Sequence, residues 1–232
     1  MDSASGTISS SVSGHRILCA IISHAKSPRR DTIRKTWLPL VTPEVDAKFF
    51  VGTHDEKLED EVITLCCNDT HEGIPDKVRE ICRWALERGY EFMWKVDDDV
   101  QLKPSKLADI SSPFAAVILP DAAYPGISGF LYGFDRRCME ILSSSPIPVY
   151  ADGWDCGYYQ DEYWVADKLG RAGIPCKLIN ECGVLRQPYE KAFPPYWVIA
   201  VHGESVAERS VTVFKQLNGL ELPTKRRLGR AQ

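Results

Sequence analysis

No apolar stretch of this chain approaches the roughly 20 residues that a membrane-spanning helix needs. No apolar core of the signal-peptide kind lies near the N-terminus either, so the chain as given reads as a soluble body, expected in the cytoplasm. Basic residues are not in excess. The 28 Lys and Arg stand against 32 Asp and Glu, a formal net charge of -4, which argues against a duplex nucleic-acid binder and its basic footprint. Glycine-rich phosphate loops are missing at every helix start, which removes the Walker and dinucleotide fingerprints. The eight cysteines (Cys19, Cys66, Cys67, Cys82, Cys138, Cys156, Cys176 and Cys182) never form C-x-x-C, against a zinc ribbon or a thioredoxin-type pair. Cys19 and Cys82 sit in apolar runs and read as small core residues. Cys176 and Cys182 flank a short apolar segment and are able to pair in an oxidising compartment, whereas free thiols are expected in a cytoplasm. Asn68-Asp69-Thr70 has the form of an N-glycosylation acceptor, with nothing else pointing to secretion.

What is present is an alternation of elements. With 232 residues, no internal repeat and no clear linker, the chain fits one domain with ample core. Residues 1–14 are rich in serine and glycine and are expected to be disordered. The continuous apolar run Ile17–Ile22 fits a central strand buried on both faces. Ser27-Pro28 then precedes a helix expected over Arg29–Leu38. Lys48–Gly52 and Val62–Leu65 read as strands, with a short polar helix expected over Asp55–Asp60. Ile74–Arg88 carries Val78, Ile81, Cys82, Ala85 and Leu86 on one helical face, with Gly89 as a left-handed stop. Phe92–Val96 is a fourth strand. Beyond it, Ile127–Phe134 and Trp197–Val201 read as strands, and Arg136–Leu142 and Gln160–Ala172 as helices. Strands alternating with helices predict an α/β fold on a largely parallel sheet. We divide it into a nucleotide half (about 15–100) and an acceptor half (about 101–210), followed by a basic-tailed extension over 211–232.

The chemistry concentrates where the fourth strand ends, in Asp97-Asp98-Asp99. An ionised carboxylate away from water costs several kcal/mol unless something pairs it. Acids stepping off the C-terminal end of a strand suit a hard cation with oxygen ligands, and in an open α/β sheet ligands bind at that edge. A cation there can hold a diphosphate, which points to nucleotide-sugar chemistry; the alternative is a solvated acidic turn. Arg29 to Trp37 places cations at the end of the first strand. They suit bidentate phosphate contact with Trp37 walling a pocket, or form a basic solvent face with Trp37 in the core. Lys95 and Lys103 flank the triplet as charge balance. Gln160-Asp161-Glu162 opens a helix, where acids complement the dipole or where a carboxylate serves as general base. His202 ends an apolar run, either as a structural residue or as a strand-end imidazole completing a cation's coordination sphere.

Several segments recur in one order. R-R-x-x-I-R-x-T-W at Arg29–Trp37, F-F-V-G at Phe49–Gly52 and K-V-D-D-D-V at Lys95–Val100 resemble the β1,3-galactosyltransferase and fringe superfamily. Asn68–Lys77 is similar to that family's acidic segment ending in N-L-T-x-K. Tyr124–Gly129 resembles its Y-P-x-Y-x-S-G loop, one residue shorter, and Gln160–Tyr163 its E-D-V-Y. The resemblance runs from about Arg16 to His202. It implies a GT-A-type, Rossmann-like open twisted sheet, mostly parallel, with helices on both faces, in a single domain over 15–210. It implies a metal-dependent inverting transfer of a hexose, of galactose or N-acetylglucosamine type, from a UDP-sugar to a hydroxyl of a glycan or glycoconjugate acceptor, with Mn2+ or Mg2+. Carried over by position, Asp97 faces the nucleotide ribose and Asp98 joins the donor-binding set. Asp99 and His202 hold the metal, Arg30 and Arg34 lie near the donor, and Asp161 is the base. Gln160 and Glu162 depart from the family pattern, and the family's usual anchor and stem are missing. The readings outside this class are a non-catalytic nucleotide-sugar or carbohydrate-binding module, a sugar-phosphate nucleotidyltransferase, and a metal-independent glycosidase.

Overall fold

Alternation of strand and helix is what the chain builds. The computed structural model describes residues 16–55, 57–108, 112–118, 127–147, 160–179, 183–185 and 200–203. Its elements are β1 (Ile17–Ile22), α1 (Arg29–Lys35), β2 (Val45–Val51), β3 (Val62–Thr64), α2 (Ile74–Glu87), β4 (Phe92–Asp97) and β5 (Val100–Leu102). These are followed by β6 (Phe114–Ile118), β7 (Ile127–Asp135), α3 (Arg136–Ser144), α4 (Gln160–Arg171), β8 (Cys176–Ile179), β9 (Gly183–Leu185) and β10 (Ala200–Gly203). Seven strands form one sheet in the order β3-β2-β1-β4-β7-β6-β8. Only β7 runs against the rest, since it is antiparallel to both β4 and β6 while the other pairings are parallel. The expected α/β architecture, a mostly parallel sheet with helices on both faces, is therefore what forms. The sheet takes strands from both the 15–100 and the 101–210 portions.

Side-chain alternation along the central strands divides the core in two. Leu18, Ala20, Ile22, Met93 and Tyr132 face α2, α3 and α4. Cys19, Ile21, Trp94 and Val96 face Ile33 of α1, Trp37 and the start of β5. Each fully buried aliphatic side chain of these layers contributes about 1.5–3 kcal/mol relative to exposure. α2 buries Val78, Ile81, Cys82 and Ala85 as its spacing predicts, and Gly89 closes it with φ 73°, a left-handed backbone that costs glycine nothing. Gly133 is fixed by contact: a Cβ there would lie 2.5 Å from Cε3 of Trp94, its partner across β4 and β7. Burial pushes the Cys19 and Cys82 thiols far above their ordinary range, so these are inert core residues.

Three expectations change. α1 ends at Lys35, and Leu38–Leu40 form a separate short 3-10 turn, because the backbone turns at Thr36 to send Trp37 inward. Residues 57–59 are not helical; Asp55–Asp60 has Leu58 as its one apolar side chain against the core, and a single, otherwise polar turn does not repay its nucleation. Strands β5, β6, β8 and β9 were not legible as strands. Tails 1–14 and 211–232, the loop Tyr124–Gly126, Cys182 and residues 197–199 lie outside the described residues. Among the described residues no helix is long and apolar enough to cross a membrane.

Candidate active site

The three acids stand at the corner between two sheets. Asp97 ends β4 in register with Ile22 of β1, so the turn after β4 lies beside the loop after β1. Past the turn, β5 leaves the main sheet and pairs with β10 in a three-stranded sheet of order β5-β10-β9. Trp37 pins this departure: its ring is fully buried and its Nε1 donates to the Val100 carbonyl at 2.9 Å. It belongs to the core, holding the turn from beneath.

Asp98 is buried and fully engaged. Ser23 Oγ and Ser27 Oγ donate to its Oδ2 at 2.7 and 2.6 Å, and Arg29 Nη1 donates to Oδ1 at 3.1 Å. Arg29 also lies 3.7 Å from Asp99 and stays 39% exposed, so one face of its guanidinium reaches solvent. The loop between β1 and α1 is braced from below. Arg30 Nη1 and Nη2 donate to the His24 and Ala25 carbonyls at 2.5 and 2.9 Å. Lys77 donates to the Ser23 carbonyl at 2.9 Å and pairs with Asp69 at 2.8 Å. Asp69 in turn accepts from the Ala25 and Gly52 amides. Burial works against the Asp69 charge, but Lys77 and those two amides outweigh it and hold the carboxyl below its usual range. Arg34 turns the other way, onto Asp31, Glu61 and Glu59 at 2.8, 2.8 and 3.5 Å, with the Phe49 ring 5.3 Å away. Of the basic segment it is therefore Arg29 that meets the triplet. Arg30 supports the loop by its carbonyls, and Arg34 faces the acidic rim of β3.

A second cluster lies on the α4 face of the same edge. Lys95 sits opposite Tyr132 of β7 and is 1% exposed. Its ammonium donates to Asp97 Oδ1 at 2.5 Å and to the Gly129 carbonyl, and lies 3.4 Å from Asp161 Oδ2. The Tyr132 hydroxyl donates to that same Asp161 oxygen at 2.7 Å. Burial pushes the Asp161 carboxyl up, yet Lys95, Glu162 and Tyr132 together hold it below its ordinary value. Glu162 is raised to about 9, first by burial and then by the Asp161 charge, so at neutral pH it carries a proton and hydrogen-bonds Asp161. Its carboxyl lies flat against Gly129, where an added Cβ would come within 2.9 Å of Oε2. Burial raises Asp97, with Lys95 opposing; the same surroundings push the buried Lys95 up, because Asp161 and Asp97 outweigh its desolvation.

His202 enters by backbone register. On β10 it stands opposite Val100, the residue after Asp99, so the chain brings its backbone beside the acidic turn; its side chain lies outside the described residues. Among the described residues no three His, Cys, Asp or Glu side chains gather as a metal-holding group. Of the acids in the turn, Asp99 offers a carboxylate that Arg29 approaches at 3.7 Å. A carboxylate is the ligand type that a hard divalent cation takes when substrate phosphate oxygens complete its shell.

Sequence reasoning named Arg29 only as part of the basic segment, gave Ser23 and Ser27 no role, and took Lys95 as charge balance, which its pair with Asp97 bears out without its second partner, Asp161. The signal was available: a lysine third from the end of a strand buried on both faces cannot reach water, so it must find carboxylates. Ser23 and Ser27 carry no comparable signal, because a serine near a strand end is ordinary.

No protein-family model matches the chain, and no curated protein matches it in sequence. Among solved structures the fold is similar to the crystal structure of a glycosyltransferase involved in the glycosylation of the major capsid of PBCV-1. The TM-score is 0.51 at 14% identity, over 86% of this chain and 98% of that one. The architecture is thus of the GT-A-like α/β kind.

Proposed function

We propose that this protein is a metal-dependent inverting glycosyltransferase that moves a hexose, of galactose or N-acetylglucosamine type, from a UDP-sugar to a hydroxyl of a glycan or glycoconjugate. The observation that carries this reading is the Lys95 ammonium, which lies between Asp97 of the acidic turn and Asp161 at the start of α4. It joins two carboxylates of different purpose at the sheet edge where α/β folds bind ligands. The likeness in fold to a glycosyltransferase supports the same class.

In this reading Asp97 binds the ribose and Arg29, with its exposed guanidinium face, meets the diphosphate. Asp99 and His202 would hold Mn2+ or Mg2+, whose charge stabilises the departing UDP. The bond from the anomeric carbon to the diphosphate oxygen breaks as the acceptor oxygen bonds to that carbon from the opposite face, so the centre inverts. The acceptor's hydroxyl proton passes to Asp161, the ionised member of the Asp161–Glu162 pair. Glu162, already protonated, steadies it by hydrogen bond.

A panel of UDP-sugars tests this, read by thermal stabilisation with and without manganese and by release of UDP. A bound donor raises the folded state's stability with the logarithm of its concentration over its Kd. One UDP-hexose is expected to stabilise the protein only with metal and to be turned over. In Asp161→Asn, turnover should fall about a hundred- to ten-thousandfold, as for loss of a general base. Stabilisation by no UDP-sugar, or parental turnover in Asp161→Asn, contradicts the reading.

A further inference from the structure

The buried lysine joins the two sides of the site through a single ammonium, an arrangement that a plain structural ion pair does not need. We propose that Lys95 is a positioning residue that couples donor binding to acceptor activation, by holding Asp97 and Asp161 at a fixed separation. The inference rests on the transferase reading above and deepens it.

The geometry is specific. A lysine ammonium has three donors. Here the Asp97 Oδ1, the Gly129 carbonyl and the Asp161 Oδ2 surround it, with the Tyr132 ring centroid 5.4 Å away. These partners come from three elements: Asp97 from β4 itself, Gly129 and Tyr132 from β7, and Asp161 from α4. The base therefore hangs on an atom anchored in the central sheet, not on its helix alone. Because Asp97 is two residues along the same strand, its carboxylate and Lys95 lie on one face of β4. A donor whose ribose engages Asp97 is thereby set at a fixed distance from Asp161, through the ammonium that both carboxylates share. Tyr132 holds the second contact on Asp161 Oδ2, so the hydroxyl and the ammonium together fix that carboxylate.

The test compares steady-state kinetics and UDP calorimetry in manganese for the parent, Lys95→Met, Asp97→Asn and Asp161→Asn. Asp97→Asn should mainly raise the donor KM, and Asp161→Asn mainly lower kcat. Lys95→Met should do both, with kcat down about a hundredfold, the scale set by misplacing a reacting group by about 1 Å. A purely structural lysine would reduce the number of UDP-binding sites per chain while leaving KM and kcat per site unchanged, and that result overturns the proposal. If Lys95→Met does not fold, the 15N resonance of the Lys95 ammonium decides without any activity. It should move in both Asp97→Asn and Asp161→Asn; a response to one substitution alone overturns the coupling. A parent that turns over no UDP-sugar yet shows both NMR shifts counts against the transferase reading and in favour of the charge coupling.

Discussion

Two carboxylate clusters sit at the same sheet edge and are stabilised in different ways. Around Asp98, two hydroxyls and a half-exposed guanidinium surround a single carboxylate. Two neutral hydroxyls share the carboxylate with an arginine whose side chain keeps contact with solvent. Around Lys95 the balance is reversed. Asp97, Asp161 and Glu162 crowd about one ammonium that water does not reach. Three acids cannot all ionise beside one cation in a medium of low polarity, and the excess is resolved by a proton held on Glu162. The first cluster is a scaffold whose carboxylate is held by three donors. The second is poised: it holds a charge, a proton and a shared cation side by side.

Substitutions should separate the two. The largest effect is expected for Lys95→Met, which leaves Asp97 and Asp161 without their cation. Breaking a buried pair in this way costs about 3–5 kcal/mol, and urea unfolding of parent and variant measures it. Ser27→Ala removes one hydroxyl from Asp98 and leaves Ser23 and Arg29 in place. A hydrogen bond to a charged group is worth about 1.5–3 kcal/mol, so the loss by the same measurement should be smaller. If Ser27→Ala costs as much as Lys95→Met, the distinction between scaffold and poised cluster fails.

The most diagnostic effect concerns pH. Glu162 keeps its proton in the folded state up to about 9, whereas unfolded it ionises near 4.3. Between those values folding takes up a proton, so this group's contribution to stability is full below the unfolded value and is lost as pH rises toward 9. Of its charged neighbours, Asp161 is held below that window and Lys95 above it, while burial raises Asp97. Glu162→Gln retains a donor to Asp161 but cannot titrate. Relative to this variant, the parent should lose stability steadily, by about 4–5 kcal/mol at most between pH 5 and 8.5, followed by urea unfolding at a series of pH values. A constant difference across the series would show that Glu162 is ionised in the native state.

Much of the frame could be read from residue order. The two-faced apolar runs of β1 and β4 and the helical spacing of α2 place the acidic turn at the sheet edge by periodicity alone. β8 escaped because it is an edge strand with three of its four residues exposed, so its pattern resembles a loop. At the site, sequence position identified the acidic turn and the start of α4, while partner choice needed three dimensions. Arg29, Arg30 and Arg34 are chemically alike and close in sequence. The turn of α1 sends one to Asp98, one to loop carbonyls and one to the rim of β3. Lys95 was undervalued for the opposite reason. A formal charge count treats it as a counter-ion to any nearby acid, and only the pairing of β4 with β7 and the packing of α4 reveal that it serves two acids at once.

The central claim is metal-dependent donor binding at the acidic turn, and calorimetry of UDP with and without manganese, on the parent and on Asp99→Ala, tests it most directly. The account predicts tight binding by the parent in manganese, weak binding without it, and weak binding by Asp99→Ala in both conditions. Equal UDP affinity in all four measurements would contradict it.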